Sequence, residues 1–313
     1  MVRFQLPMNK YIIGIDGGGS KTLGVLFDIH GKELKRVEHG FSNFSIDEEI
    51  AKSNVEKTIE NLVKDLETHR ELFIQMGIAG YSKIKKSTQY IKSLEKKFNA
   101  TVDLDSDAII ALYSVKKDQD INVIMVIGGT GSVLMVTDGE KANLVGGFGH
   151  LLGDEGSAYH LAITALKKII DEKESNQPFS NLSEKILKEI EVVDYQDIKS
   201  FVYNSNKSDI AKLSKFIAEC ALQHDQDAID LLKQEAKHLS KQTINAYNKS
   251  SRKEKVIIAL RGGFLLNAPY VKETLIEELK ISLKDFEIDI HPIEPVIGAY
   301  YLGFLKLSKR CES

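Results

Sequence analysis

Two short glycine-rich segments carry side chains and backbone donors suited to binding phosphate. The first is Asp16-Gly17-Gly18-Gly19-Ser20-Lys21-Thr22, directly behind the apolar run Tyr11–Asp16. The second is Gly128-Gly129-Thr130-Gly131-Ser132, behind the apolar run Ile121–Ile127. Glycine lets backbone N–H groups approach a ligand closely, and Ser20, Thr22, Thr130 and Ser132 add hydroxyl donors. Both segments could therefore cradle a phosphate, and two of them, one per half of the chain, are what a clamp on one polyphosphate requires. Carboxylates stand at strand ends nearby: Asp16, Asp105 and Asp107. Mg2+ takes oxygen ligands and keeps part of its water shell, so Asp16 could hold the ion through water. Lys21 could contact phosphate or point into solvent. Asp107 could accept a proton or cap the helix Ala108–Val115, and Asp105 is a rival base.

A third segment runs Gly146-Gly147-Phe148-Gly149-His150-Leu151-Leu152-Gly153-Asp154-Glu155-Gly156. Asp154 and Glu155 beside a tight glycine turn could accept the hydroxyls of a polyol, since each carboxylate takes several donors. They could equally be acids in a first helical turn, favoured by the helix dipole. Two familiar phosphate motifs do not fit. A P-loop counted from Gly14 reaches Gly19, but Ser20 follows where lysine is required. The dinucleotide fingerprint needs a helix after its glycines, and Leu23–Asp28 reads as a strand.

The elements that position these segments follow from periodicity. Tyr11–Asp16, Leu23–Asp28 and Glu33–His39 read as strands joined by tight turns. Ser45 with Glu48 fits a capping box for a helix over 46–69, with Ile46, Ile50, Ile59, Leu62, Val63 and Leu66 on its apolar stripe. Strand Leu72–Ala79, helix Lys83–Phe98 and strand Thr101–Leu104 follow. The pattern then restarts with strands Ile121–Ile127, Val133–Thr137 and Lys141–Val145. Next come a helix over 154–173, several helices within Ser183–Ser250, strand Val256–Leu260, helix Ala268–Leu279, strand Phe286–Ile290 and a closing helix Pro295–Leu307. This is a repeat of order rather than of identity, and it predicts a duplicated α/β fold.

Composition narrows the classes. The chain has 313 residues, 42% hydrophobic and 28% charged, with a formal net charge of −3. That supports a large core and offers no basic footprint for nucleic acid. Cys220 and Cys311 are the two cysteines and form no metal-binding spacing, so free thiols in a reducing cytoplasm are expected. Residues 1–10 are too short and too weakly apolar for a signal peptide, and Ile121–Thr137 is too short to span a membrane. The charged runs Lys83–Lys86 and Lys306–Arg310 read as solvated faces.

The glycine segments resemble the two phosphate loops of the sugar kinase, heat-shock-70 and actin superfamily. Arg261-Gly262-Gly263 resembles its adenosine loop, and the segment from Gly146 to Ala158 resembles the signature of N-acetylglucosamine kinases within the BadF/BadG/BcrA/BcrD ATPase family. The resemblance implies two duplicated ribonuclease-H-like (actin-like ATPase) domains. The first would be residues 1–110 plus 294–313, closed by the last helix; the second 111–293, with a helical insertion at about 174–252. It implies ATP and Mg2+ as cofactors, hinge closure over a site between the domains, and the frequent homodimers of the family. It implies phosphorylation of the 6-hydroxyl of an N-acetylated amino sugar, N-acetylglucosamine or N-acetylmuramic acid, by Asp107 as base. Cofactor contacts would be Asp16, Gly17, Gly18, Gly19, Ser20, Lys21, Thr22, Gly129, Thr130, Gly131, Ser132, Ala211, Gly262 and Gly263. Sugar contacts would be Asn43, Gly147, Phe148, Gly149, Asp154 and Glu155. Phe148 departs from the tryptophan usual there, and the chain has no tryptophan. Other members of the family are ATPases that activate a partner enzyme, and a non-catalytic sugar sensor is a further alternative.

Overall fold

A computed structural model describes residues 10–67, 70–81, 87–138, 141–250 and 255–312. The chain divides into two compact units, Met1–Asp120 with Pro292–Ser313, and Ile121–His291.

The first unit is built on strands β1 (Lys10–Gly17), β2 (Thr22–Asp28), β3 (Glu33–His39), β4 (Glu71–Ile78) and β5 (Thr101–Asp105). They stand in the order β3-β2-β1-β4-β5. β1 pairs antiparallel with β2 and parallel with β4, so the first glycine loop is a hairpin turn at the end of the central strand. Alternate side chains of β1 serve opposite faces. Ile13 and Ile15 pack with Val55, Ile59 and Leu62 of α1 (Glu48–Val63) and Leu94 of α2 (Ser87–Phe98). Ile12 packs with Val296 and Tyr300 of α11 (Pro295–Glu312) on the other face. There α11 also meets Ile110 and Tyr113 of α3 (Asp107–Lys116). This strict alternation is why a run of apolar residues can be buried on both sides. Arg36 of β3 clasps Glu294, just before α11, with two bonds of 2.9 Å.

The second unit has strands β6 (Asn122–Gly128), β7 (Ser132–Asp138), β8 (Lys141–Gly146), β9 (Val256–Arg261) and β10 (Phe286–Asp289), in the order β10-β9-β6-β7-β8. Its helices are α4 (Ala158–Glu174), α5 (Asn181–Glu189), α6 (Ile198–Asn204), α7 (Lys207–Leu222), α8 (Gln226–Lys249), α9 (Gly263–Asn267) and α10 (Val271–Ser282). Ile124, Val126, Ile258 and Leu260 of the sheet share one core with Leu161, Ile217, Leu232, Leu239 and Leu275 of these helices. The sheets are mixed, and the architecture is α/β throughout.

Several local expectations fail for identifiable reasons. Asp47, not Ser45, caps α1, because Asn43 Oδ1 accepts the Ser45 N–H (2.8 Å) and holds Ser45 in a turn outside the helix. Ile46 and Ile50 are exposed rather than on the buried stripe. α1 stops at Val63, and Leu66 reaches the core from the turn that follows. Ser106, not Asp107, caps α3. α4 starts at Ala158 with Ser157 as its cap, so Asp154 and Glu155 lie before the helix instead of in its first turn. Asp154 has a left-handed backbone (φ +69°), which no helix accommodates. α10 begins at Val271, because the preceding residues form the short α9. Expected positions 68–69 of the first helix and 83–86 of the second, with the charged run Lys83–Lys86, fall outside the described residues.

Candidate active site

In the first unit the parallel pairing of β1, β4 and β5 brings their C-terminal ends to one edge, with Asp16 and Asp105 there and Asp107 at the start of α3. The turn between β1 and β2 is closed by the Gly18 N–H donating to Lys21 O, while Gly18 O accepts from the N–H groups of Ser42 and Asn43. Gly17 is obligatory, since a Cβ would lie 2.3 Å from Ser42 Oγ. Gly19 and Ser20 stand exposed at the tip. Lys21 is also exposed and pairs with Glu38 at 2.7 Å. The Thr22 hydroxyl is turned inward and donates to Gly40 O, so it serves the hairpin rather than a ligand.

The three carboxylates differ in what they are free to do. Asp105 accepts from Gln75 Nε2 (3.0 Å) and from Lys306 Nζ (2.7 Å), and Lys306 also reaches Asp103 at 2.8 Å. Lys306 is therefore a strut between α11 and β5, not part of a solvated run. Among the described residues Asp107 has no such cation, and the groups that donate to it are backbone N–H groups, its own and that of Ala108. Burial raises its pKa, and those N–H groups partly oppose the rise. Asp16 is pushed up to about 6, first by burial and then by the charge of Asp107. Two carboxylates that repel each other at a strand edge form an oxygen-rich, electron-rich spot. It fits a hydrated Mg2+, which would relieve both the desolvation and the repulsion.

In the second unit the Gly128–Ser132 turn joins β6 to β7, and the start of α4 is hung from it. Ala158 N–H donates to Gly129 O (3.0 Å) and Tyr159 N–H to Thr130 O (3.3 Å). Gly262 lies against the same turn: its φ is +97°, and a Cβ would lie 2.4 Å from Gly128 O. Only glycine permits that approach, so Gly262-Gly263 and the phosphate-type loop are parts of one wall. A cavity of about 650 Å3 opens there, and Gly129, Thr130, Ala211, Lys215, Gly263 and Phe264 are among its lining residues. The sequence-selected positions Gly129, Thr130, Ala211 and Gly263 thus come together. The volume, the apolar side chains and the adjacent polar loop suit a nucleotide. Arg261 itself is tied to Asp289 and lies outside that wall.

Asp154 is buried. Its Oδ1 accepts the Ser132 N–H (3.2 Å) and its Oδ2 pairs with Lys207 Nζ at the start of α7. In this arrangement its carboxylate shapes the loop rather than standing open to a hydroxyl. The Ser132 hydroxyl donates to Glu155 O and is likewise committed. Gly147, Phe148, Asp154 and Glu155 line a second cleft of about 260 Å3, with Gln242, Asn245 and Lys249 of α8 opposite; Gly149 is not among its lining residues. Phe148 is 73% exposed. In the first unit Asn43 spends its Oδ1 on Ser45. Lys207, Lys215 and the α8 residues were not foreseen, because no spacing rule links 154 with 207 or 147 with 249.

The family is decided by the match of the chain to the model of the BadF/BadG/BcrA/BcrD ATPase family over residues 13–303. The chain belongs to that family. Among its relatives is an N-acetylmuramic acid/N-acetylglucosamine kinase of Clostridium acetobutylicum, 29% identical over 307 residues, covering 94% of this chain and 98% of the relative. An N-acetyl-D-glucosamine kinase of Dictyostelium discoideum is 26% identical over 317 residues, covering 95% and 98%. A solved structure from Chromobacterium violaceum, proposed there to be an N-acetylglucosamine kinase, superposes with a TM-score of 0.63 at 21% identity, covering 95% of this chain and 100% of that one. That likeness is one of fold. Among the described residues no helix is long and apolar enough to cross a membrane.

Proposed function

We propose that this protein is an ATP-dependent sugar kinase that transfers the γ-phosphoryl group of ATP to the 6-hydroxyl of an N-acetylated amino sugar, N-acetylglucosamine or N-acetylmuramic acid. The observation that carries the reading is the placement of Asp107 at the start of α3 beside Asp16: burial raises its pKa and no cation pairs with it among the described residues, whereas Asp105 is held by Lys306. A carboxylate in that state accepts a hydroxyl proton as the new oxygen–phosphorus bond forms and the bond to ADP breaks. ATP supplies the phosphoryl group and Mg2+ neutralises its charge. Ala211, Gly263 and Phe264 hold the base and ribose, while Gly129 and Thr130 meet the phosphates. Gly17 to Lys21 supply the other, first phosphate loop, and Asp16 the carboxylate that keeps hydrated Mg2+. Asn43, Gly147, Phe148, Gly149 and Glu155 recognise the sugar.

The two sheets share one strand order when read from β3 and from β8. We read them as copies of one ribonuclease-H-like unit, with the helices from α5 to α8 inserted in the second. The test is ADP release with Mg-ATP and a panel of N-acetylglucosamine, N-acetylmuramic acid, N-acetylmannosamine, glucosamine and glucose. Sugar-dependent release that Asp107→Asn abolishes supports the reading. ATP hydrolysis indifferent to every sugar refutes it and favours an ATPase that acts on a partner.

A further inference from the structure

One group of side chains takes no part in the chemistry above. His160 on α4 and Glu235 and His238 on α8 each bring a ligand atom within 4.8 Å of the others. We infer that these three residues form a binding site for a divalent transition-metal ion of the zinc type.

Glu235 and His238 are three residues apart on a helix and so share one face. Glu235 is fully buried. Its Oε2 accepts the N–H of Gly156 at 2.7 Å, which fixes the carboxylate, and its Oε1 faces His160 Nδ1 at 2.8 Å. The rings of His160 and His238 meet edge to face with centroids 5.5 Å apart. No hydrogen bond among the described residues uses the His238 ring, so its donor atoms are uncommitted beside a buried carboxylate. The His160 side chain is 24% exposed, which leaves a path from solvent.

The donor set selects the ion. Two imidazole nitrogens and one carboxylate oxygen are the ligands of a three-residue zinc site with a fourth position for water, whereas Mg2+ and Ca2+ prefer oxygen alone. Metal–ligand bonds of about 2.0–2.2 Å place ligand atoms roughly 3.4 Å apart on a tetrahedral centre. The His160–Glu235 contact would open by about half an ångström and His238 would swing inward, both within reach of side-chain torsions. The ion takes the place of the proton shared by Nδ1 and Oε1, which leaves to solvent. The site ties α4 to α8 directly behind Gly156, in the segment that also contains Asp154.

The test uses the full chain, freed of metal by chelation and titrated with CoCl2 and ZnCl2 in excess Mg2+, which occupies oxygen-only sites. One equivalent of cobalt should bind and show the visible absorption of a low-coordinate, nitrogen-ligated ion, with zinc displacing it. His238→Ala should weaken uptake at least about tenfold and remove the absorption, while Mg-ATP turnover is unchanged. Should that variant fail to fold, His238→Gln replaces it with the same expectation. No uptake by the unaltered chain, or an affinity that the His238 variants change by less than about tenfold, overturns the site and leaves His160 and Glu235 a buried hydrogen-bonded pair.

Discussion

Asp16 offers a stability test of the reading. Its pKa rises from the ordinary 3.8 to about 6, chiefly through burial and secondarily through Asp107. At roughly 1.4 kcal/mol per pH unit, the ionised carboxylate costs the folded chain about 3 kcal/mol. The folded chain keeps its proton at pH values where the unfolded chain has released it. Between about pH 4 and pH 6 the unfolded state therefore binds fewer protons, and stability falls as pH rises. The penalty is absent below about pH 4 and complete above about pH 6. Asp16→Asn removes the charge while keeping the shape. The variant should be more stable than the parent by about 2–3 kcal/mol at pH 7.5, and the gain should vanish near pH 4. Urea unfolding by circular dichroism at several pH values, with chelator present so that no Mg2+ compensates, measures this. The same substitution should abolish kinase activity, a trade of function for stability. A gain independent of pH, or a variant less stable at pH 7.5, would refute the argument that Asp16 is held against its own desolvation.

Other substitutions probe the remaining parts. Asp107→Asn should lower kcat by at least about a hundredfold, with the Kd of Mg-ATP within about threefold of the parent, because proton acceptance is lost and the nucleotide wall is untouched; calorimetric binding beside steady-state kinetics separates the two. Lys207→Ala leaves Asp154 buried without its cation, and the cost should be about 1–3 kcal/mol in urea unfolding, with a raised KM for ATP as the 130–132 turn loosens. An unchanged KM would break the link drawn between Asp154 and the phosphate loop. Gly262→Ala must push a methyl group against Gly128 O while adopting a positive φ, so a loss of about 2 kcal/mol or more and weakened ATP binding are expected. Full stability of that variant would mean the two loops are not wedged together.

The sequence alone carried the strand runs and the glycine turns, because both are local. Burial on two faces demands continuous apolar residues in Ile12–Ile15 and Val123–Val126, and a tight hairpin demands glycine, whatever the rest of the chain does. Thr130 and Ala211, selected from motif and resemblance, do line one cavity, and Asp16 and Asp107 stand at one strand edge, because each sits at a fixed offset from such an element. The helix starts were less so, since Ser45 and Asp107 looked like caps until Asn43 and Ser106 took the competing hydrogen bonds. Which polar group meets which depends on the packing of distant segments. Lys306 lies 201 residues from Asp105 and holds its carboxylate in an ion pair. Lys207 binds Asp154 across 53 residues and holds its carboxylate beside the Ser132 N–H. His160 and Glu235 are 75 apart, beyond any spacing rule for metal ligands. Charge pairing depends on distance in space, and the chain sets that distance only after its sheets and helices have packed.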